Sequence, residues 1–115
     1  MKQSTITINI TLDEKKITED IDWQASDSTI DTKQHAKAML LGFWDGAEKS
    51  ALRIDLWTKD MMVDEMGDFF YQTLNAMADT YNRATQNNEL VTDMKRFAQA
   101  FHAKFKEQQL KEHKA

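Results

Sequence analysis

The sequence contains no cysteine. Disulfides, thiolate metal sites, a cysteine nucleophile and every lipid anchor built on a sulfur are therefore excluded. Proline is also absent, so no ring forces a helix to break, and neither a linker nor an internal repeat stands out. The three glycines, Gly42, Gly46 and Gly67, form no phosphate-cradling cluster. The longest apolar cluster, Ala38–Leu41 with Phe43 and Trp44 beyond Gly42, is far shorter than the roughly 20 residues that span a bilayer. Residues Met1–Ile8 alternate polar and apolar side chains instead of building the apolar stretch of a signal peptide. The expectation is a cytoplasmic chain that stays where it is made.

What is present is an ordinary globular composition: 41% hydrophobic and 30% charged residues over 115 positions, enough for one domain, 1–115, with its own core. A chain this long buries roughly two-thirds of its unfolded surface, so it needs no metal or disulfide staple. The net charge of −4 is unevenly spread. Acids dominate from Asp13 to Asp31 and bases from Lys95 onward. The basic end fits lysines that complement the C-terminal dipole of a last helix. It also fits an edge for an acidic partner, but nucleic-acid domains carry a net basic balance, and no nucleic acid is expected here.

The chain reads as strands first and helices second, an α+β order. Ile6, Ile8, Ile10 and Leu12 alternate with polar residues, the period of a half-buried strand. Asp13–Lys16 is a polar turn. Ile17, Glu19, Ile21, Trp23 and Ala25 share a face of a second strand, with Glu19 the imperfection. Ser26–Lys33 is a polar loop. Residues 36–44 and 51–58 read as a pair of antiparallel strands around Asp45-Gly46, although Ala36–Leu41 is also made of good helix formers. Asp60 is a candidate N-cap with Asp64 and Glu65 near the positive end of a helix dipole. Val63, Met66, Phe70, Leu74, Met77, Tyr81 and Ala84, then Leu90, Met94, Phe97, Phe101 and Phe105, recur at helical spacing. Asn87-Asn88 interrupts them, which predicts helices over about 61–86 and 89–111. The expected architecture is an antiparallel sheet of about four strands within 4–58, followed by a two-helix hairpin packed on one face.

Catalytic chemistry finds little support. Asp60, Asp64 and Asp68 stand four apart on one helix face, a spacing that could serve a hard cation, but a calcium loop needs ligands at alternate positions and a glycine bend. His35, His102 and His113 are dispersed and lack zinc-protease spacing. Serine-nucleophile and dinucleotide motifs are missing. The expectation is no enzyme, no metal and no cofactor.

A partner face is easier to find. If Leu52, Ile54 and Leu56 face the core, then Arg53, Asp55 and Trp57 project from the other side of their strand, with Lys59 beyond. Tryptophan beside arginine is the composition of an interface hot spot. The alternative packs Trp57 across the sheet on Met39, Leu41 or Phe43. Trp23 and Trp44 read as core residues. The first strand of this pair is apolar on both faces, which implies burial on both, by a dimer mate or another protein.

Leu52–Met61, Val63–Met66, Phe69–Leu74 and Met77–Thr85 form a dense block, supported upstream by Ala36-Lys37-Ala38 and Trp44-Asp45. In this block the chain closely resembles the GldC family of gliding-motility proteins of Bacteroidetes. Position 62 is Met where many relatives carry proline, a difference confined to the helix start. The resemblance implies a cytoplasmic accessory protein that contacts the motility and type IX secretion machinery, and it carries over no reaction, cofactor or catalytic residue. The alternative is a small-ligand binder or enzyme using a pocket between sheet and helices, with the aspartate row or His102 as polar groups.

Overall fold

A computed structural model describes residues 2–26 and 32–113. Residues 27–31 of the expected polar loop, and 114–115 of the tail, lie outside the described residues. The element order is β1 (Ile6–Leu12), β2 (Thr18–Ala25), β3 (Gln34–Ala36), β4 (Ala38–Asp45), β5 (Ser50–Trp57), α1 (Val63–Thr85) and α2 (Asn88–His113). The chain is α+β as expected, with strands preceding a two-helix hairpin. It divides into two compact units, Met1–Met61 and Met62–Ala115.

In the strand unit, β1, β2 and β3 form one antiparallel sheet and β4 and β5 another. The expected span 36–44 is thus two strands, because the chain bends at Lys37 and β3 pairs with β2 while β4 pairs with β5. No helix opens it: Met39, Leu40 and Leu41 are extended despite their helix propensity, because the cross-strand ladder of β5 supplies their hydrogen bonds. The two sheets are stitched at that bend, where Thr58 N–H donates to the Lys37 carbonyl at 2.7 Å and Lys59 N–H to the Thr18 carbonyl at 3.1 Å.

The β1–β2 register brings Ile8 opposite Trp23 and Ile10 opposite Ile21. Ile21, 1% exposed, anchors this face. The misfit of Glu19 has a simple cause. The register advances from Thr11↔Asp20 to Leu12↔Thr18, so Glu19 is the extra residue of a β-bulge and leaves the apolar face. The turn before it is built by Asp13, whose carboxylate accepts the N–H groups of Lys15 and Ile17 at 2.8 and 3.0 Å. Lys16 takes the left-handed conformation at φ 64°.

In the helical unit the expected helices are present. Met62 rather than Asp60 is the N-cap of α1, and its N–H donates to Glu65 at 3.1 Å. Asp60 instead accepts the hydroxyl hydrogen of Thr58. The break between helices falls at Gln86–Asn87: Gln86 is left-handed and the Asn87 side chain accepts the Leu90 N–H at 3.1 Å, as an N-cap does. The two helices meet through small residues, with Ala78 and Ala98 wholly buried. Gly67 is buried under Phe105, whose ring lies where a Cβ would stand. Phe70 and Phe97, expected as core, are exposed.

Candidate partner-binding face

Residues directly opposite in an antiparallel ladder point to the same side. The β4–β5 register therefore defines two faces. On one stand Met39 with Leu56, Leu41 with Ile54, and Phe43 with Leu52, an unbroken apolar set; Leu52 and Ile54, expected to face the core, are instead 56% and 50% exposed, and Phe43 is 57% exposed. On the other stand Ala38 with Trp57, Leu40 with Asp55, Gly42 with Arg53, and Trp44 with Ala51.

Arg53, Asp55 and Trp57 thus share a face, as their alternation predicts. The register also decides against cross-strand packing of Trp57 on Met39, Leu41 or Phe43, which point the other way. Its neighbour across the ladder is the small Ala38, and 58% of Trp57 stays exposed. The strand places it there because β5 alternates without a bulge from Ser50 to Trp57.

Arg53 and Asp55 are locked together. The Arg53 Nε and Nη2 groups donate to the two carboxylate oxygens of Asp55 at 3.1 and 2.9 Å, a bidentate fork. Asp55, through this hydrogen bond and its charge, holds the guanidinium pKa above its ordinary value. Gly42 makes room for the fork: a Cβ there would stand 2.9 Å from Arg53 Nη1. A mid-strand glycine is a recognised sign of close approach, and that signal was present in the sequence.

Trp44, read from the sequence as a core residue, is a residue of the face that the sequence misplaces. It belongs to this same face, is 69% exposed and lies across from Ala51. Two indoles thus flank the Arg53–Asp55 pair, about 20 Å apart along the strands at roughly 3.3 Å per residue. Hairpin register would have found it: once Asp45 is paired with Ser50 across the turn, Trp44 must share a side with Arg53. Asp45 fixes that turn by accepting the N–H groups of Ala47 and Glu48 at 3.0 and 3.2 Å.

Lys59 lies past the end of β5 and is engaged within the strand unit. Its ammonium pairs with Asp13 at 3.2 Å and Glu19 at 3.5 Å. The hydrogen bond to Asp13, then the charge of Glu19, raise its pKa. Reciprocally, Asp13 is held below its ordinary value, first by the backbone N–H of Ile17 and then by that of Lys15 and by Lys59. The arrangement ties the end of β5 to the β1–β2 turn.

Each polar group of the alternative reading is engaged within its own unit. Asp60 is bound to Thr58, Asp64 accepts the Glu65 N–H, and Asp68 pairs with Lys106 at 3.3 Å. His102 stacks on Tyr71 with ring centroids 4.0 Å apart. Among the described residues no three histidine or carboxylate side chains gather as a metal would require. A cavity of about 180 Å³ in the strand unit is lined by Ile6, Ile8, Ile21, Trp23, Ala36 and the β4 residues Ala38–Leu41, and presents apolar side chains alone. Among the described residues no helix is long and apolar enough to cross a membrane.

No curated protein and no solved structure gives a match to the chain. A family match does exist. Residues 18–107, from the start of β2 into the last turns of α2, match the family described as gliding motility-associated protein GldC-like. That span is well over half the chain and holds the whole β4–β5 hairpin with its exposed indoles. The chain belongs to the GldC-like family of gliding motility-associated proteins.

Proposed function

We propose that the chain is a non-enzymatic cytoplasmic accessory protein of gliding motility in Bacteroidetes, which acts by contacting a protein of the motility or type IX secretion machinery. The contact surface is the β4–β5 face of Arg53, Asp55, Trp57 and Trp44, with Lys59 at its margin. One observation carries the reading. A tryptophan with 58% of its surface open to solvent stands on a strand beside a preformed arginine–carboxylate fork. Trp and Arg dominate interface hot spots because a large rigid surface and a planar donor array bind with little ordering loss. The fork is already assembled, so little side-chain freedom remains to be lost on binding. Lys59 contributes less, since its ammonium is held by Asp13 and Glu19.

Complementation tests the reading. In a gliding bacterium deleted for its own copy, the wild-type gene restores colony spreading. The Trp57→Ala gene does not, although its purified product keeps the wild-type far-UV circular dichroism and melting temperature within about 2–4 °C, the shift expected of a surface change. A Trp57→Ala protein that unfolds would make Trp57 a core residue and remove this face from the account.

A further inference from the structure

We propose that β1 pairs antiparallel with β1 of a second copy of this chain, across a two-fold axis at Asn9, joining two three-stranded sheets into one. β1 precedes both the β4–β5 face and the family-matched residues 18–107, so the pairing stands apart from the proposed function.

β1 lies at the edge of its sheet and, among the described residues, pairs with β2 alone. Ser26 N–H donates to the Thr5 carbonyl at 3.0 Å, and Asp13 N–H to the Ile17 carbonyl at 2.9 Å. Odd-numbered residues therefore turn their backbone groups to β2, and strand alternation turns those of Ile6, Ile8 and Ile10 outward. Helices consume their backbone groups internally, so among protein elements only another strand extends this ladder. Sheet edges are ordinarily blunted by shortness, lysine, proline or a bulge. The opposite edge of the same sheet follows that rule, for β3 has only three residues and lies between Lys33 and Lys37. β1 does not. Gln3–Leu12 contains neither a charge nor a proline, and the bulge at Glu19 belongs to β2.

The sequence of this edge selects a second copy as its occupant. Ile6-Thr7-Ile8-Asn9-Ile10-Thr11-Leu12 reads almost the same from either end. About an axis at Asn9, Ile8 falls opposite Ile10 of the second copy, Thr7 opposite Thr11, and Ile6 opposite Leu12. Each pair sets aliphatic on aliphatic or threonine on threonine, the favourable cross-strand combinations. Backbone parity agrees. Ile8 and Ile10, whose groups point outward, become a hydrogen-bonded pair, while Asn9 meets its own copy in a non-hydrogen-bonded pair. Two copies share a net charge of −4 and repel where like charges are opposed, but this edge opposes none. A dissimilar strand gains nothing from the symmetry, whereas a second copy uses it at every pair.

A single strand edge buries less than a standard interface, so the expected dissociation constant is about 10–100 µM. Sedimentation equilibrium of the full chain should show its mass rise from 13.4 kDa toward twice that value across this range. A single-chain mass up to about 500 µM overturns the proposal and leaves the edge to a strand of another protein. Asn9→Lys sets like charges on the axis, and within each copy the lysine faces Asp22, which now accepts from Asn9 Nδ2 at 2.9 Å. That variant is expected to keep its circular dichroism and to weaken association about tenfold or more. A folded Asn9→Lys chain that associates like wild type overturns the assignment to this edge. Should it fail to fold, single cysteines in this cysteine-free chain decide. Thr7 lies opposite Thr11 of the second copy, whereas the two Thr7 positions stand about 14 Å apart, beyond disulfide reach. With diamide as oxidant, mixed Thr7→Cys and Thr11→Cys chains are expected to crosslink about tenfold faster than either alone. Equal rates overturn the proposal.

Discussion

Single residues divide here into those that hold the fold and those the fold holds out. Trp57 and Trp44 are of the second kind, and Gly42 serves them indirectly by leaving space for Arg53. Three expectations follow at this scale. Trp57→Ala weakens partner binding by about 2 kcal/mol, roughly 30-fold, as hot-spot truncations do, and titration calorimetry with the captured partner measures it. Trp44→Ala weakens the same binding, and a wild-type affinity in that variant would confine the contact to the Arg53 end of the hairpin. Gly42→Ala pushes a Cβ against the flexible end of Arg53, so stability should change by no more than about 0.5 kcal/mol while binding falls. Gly67 is the contrasting glycine. The place of its absent Cβ is filled by the rigid Phe105 ring.

Elements were legible from the sequence where a period met a stop signal. β1 announced itself by strict alternation, and the helices by their three-and-four spacing and the Asn87 restart. Three features escaped. The bulge at Glu19 is set by pairing register, which composition does not carry. The division into β3 and β4 depends on the bend at Lys37. The helix start at Met62 instead of Asp60 arises because Asp60 is already bound to Thr58. The candidate face was half legible: Arg53, Asp55 and Trp57 follow from strand alternation, but Trp44 joins them only through the hairpin register.

Two predictions belong to elements. Gly67→Ala gains helix propensity of nearly 1 kcal/mol yet displaces Phe105 from the α1–α2 contact, with a net loss of about 1–2 kcal/mol. A raised melting temperature in that variant would mean the ring swings aside freely. The second concerns acid. Asp13 has a folded-state pKa below its ordinary 3.8, so its contribution is present above 3.8 and is lost as pH falls through the lower folded value. Asp13→Asn should therefore melt below wild type at neutral pH, and the two melting temperatures should converge as pH drops beneath 3.8. Parallel curves would remove the Asp13 carboxylate from the acid response.

For the whole molecule, charge and family point the same way. The basic row of α2 that might have met nucleic acid is engaged in part within its own helices, with Lys95 on Asp79, Lys106 on Asp68 and Lys111 on Glu107. Such exposed pairs add little stability, but they lower the free positive charge a phosphate backbone would seek. Membership of the GldC-like family assigns the process, gliding motility. The proposed mode of action, contact with a protein partner, rests on the β4–β5 face. The most direct measurement is crosslinking and affinity capture of tagged wild-type and Trp57→Ala chains from a gliding host, quantified by mass spectrometry. Wild type is expected to retain a motility or type IX secretion component, and the equally folded variant to lose most of it. Equal recovery by both chains, or recovery of no such component by wild type, would contradict it.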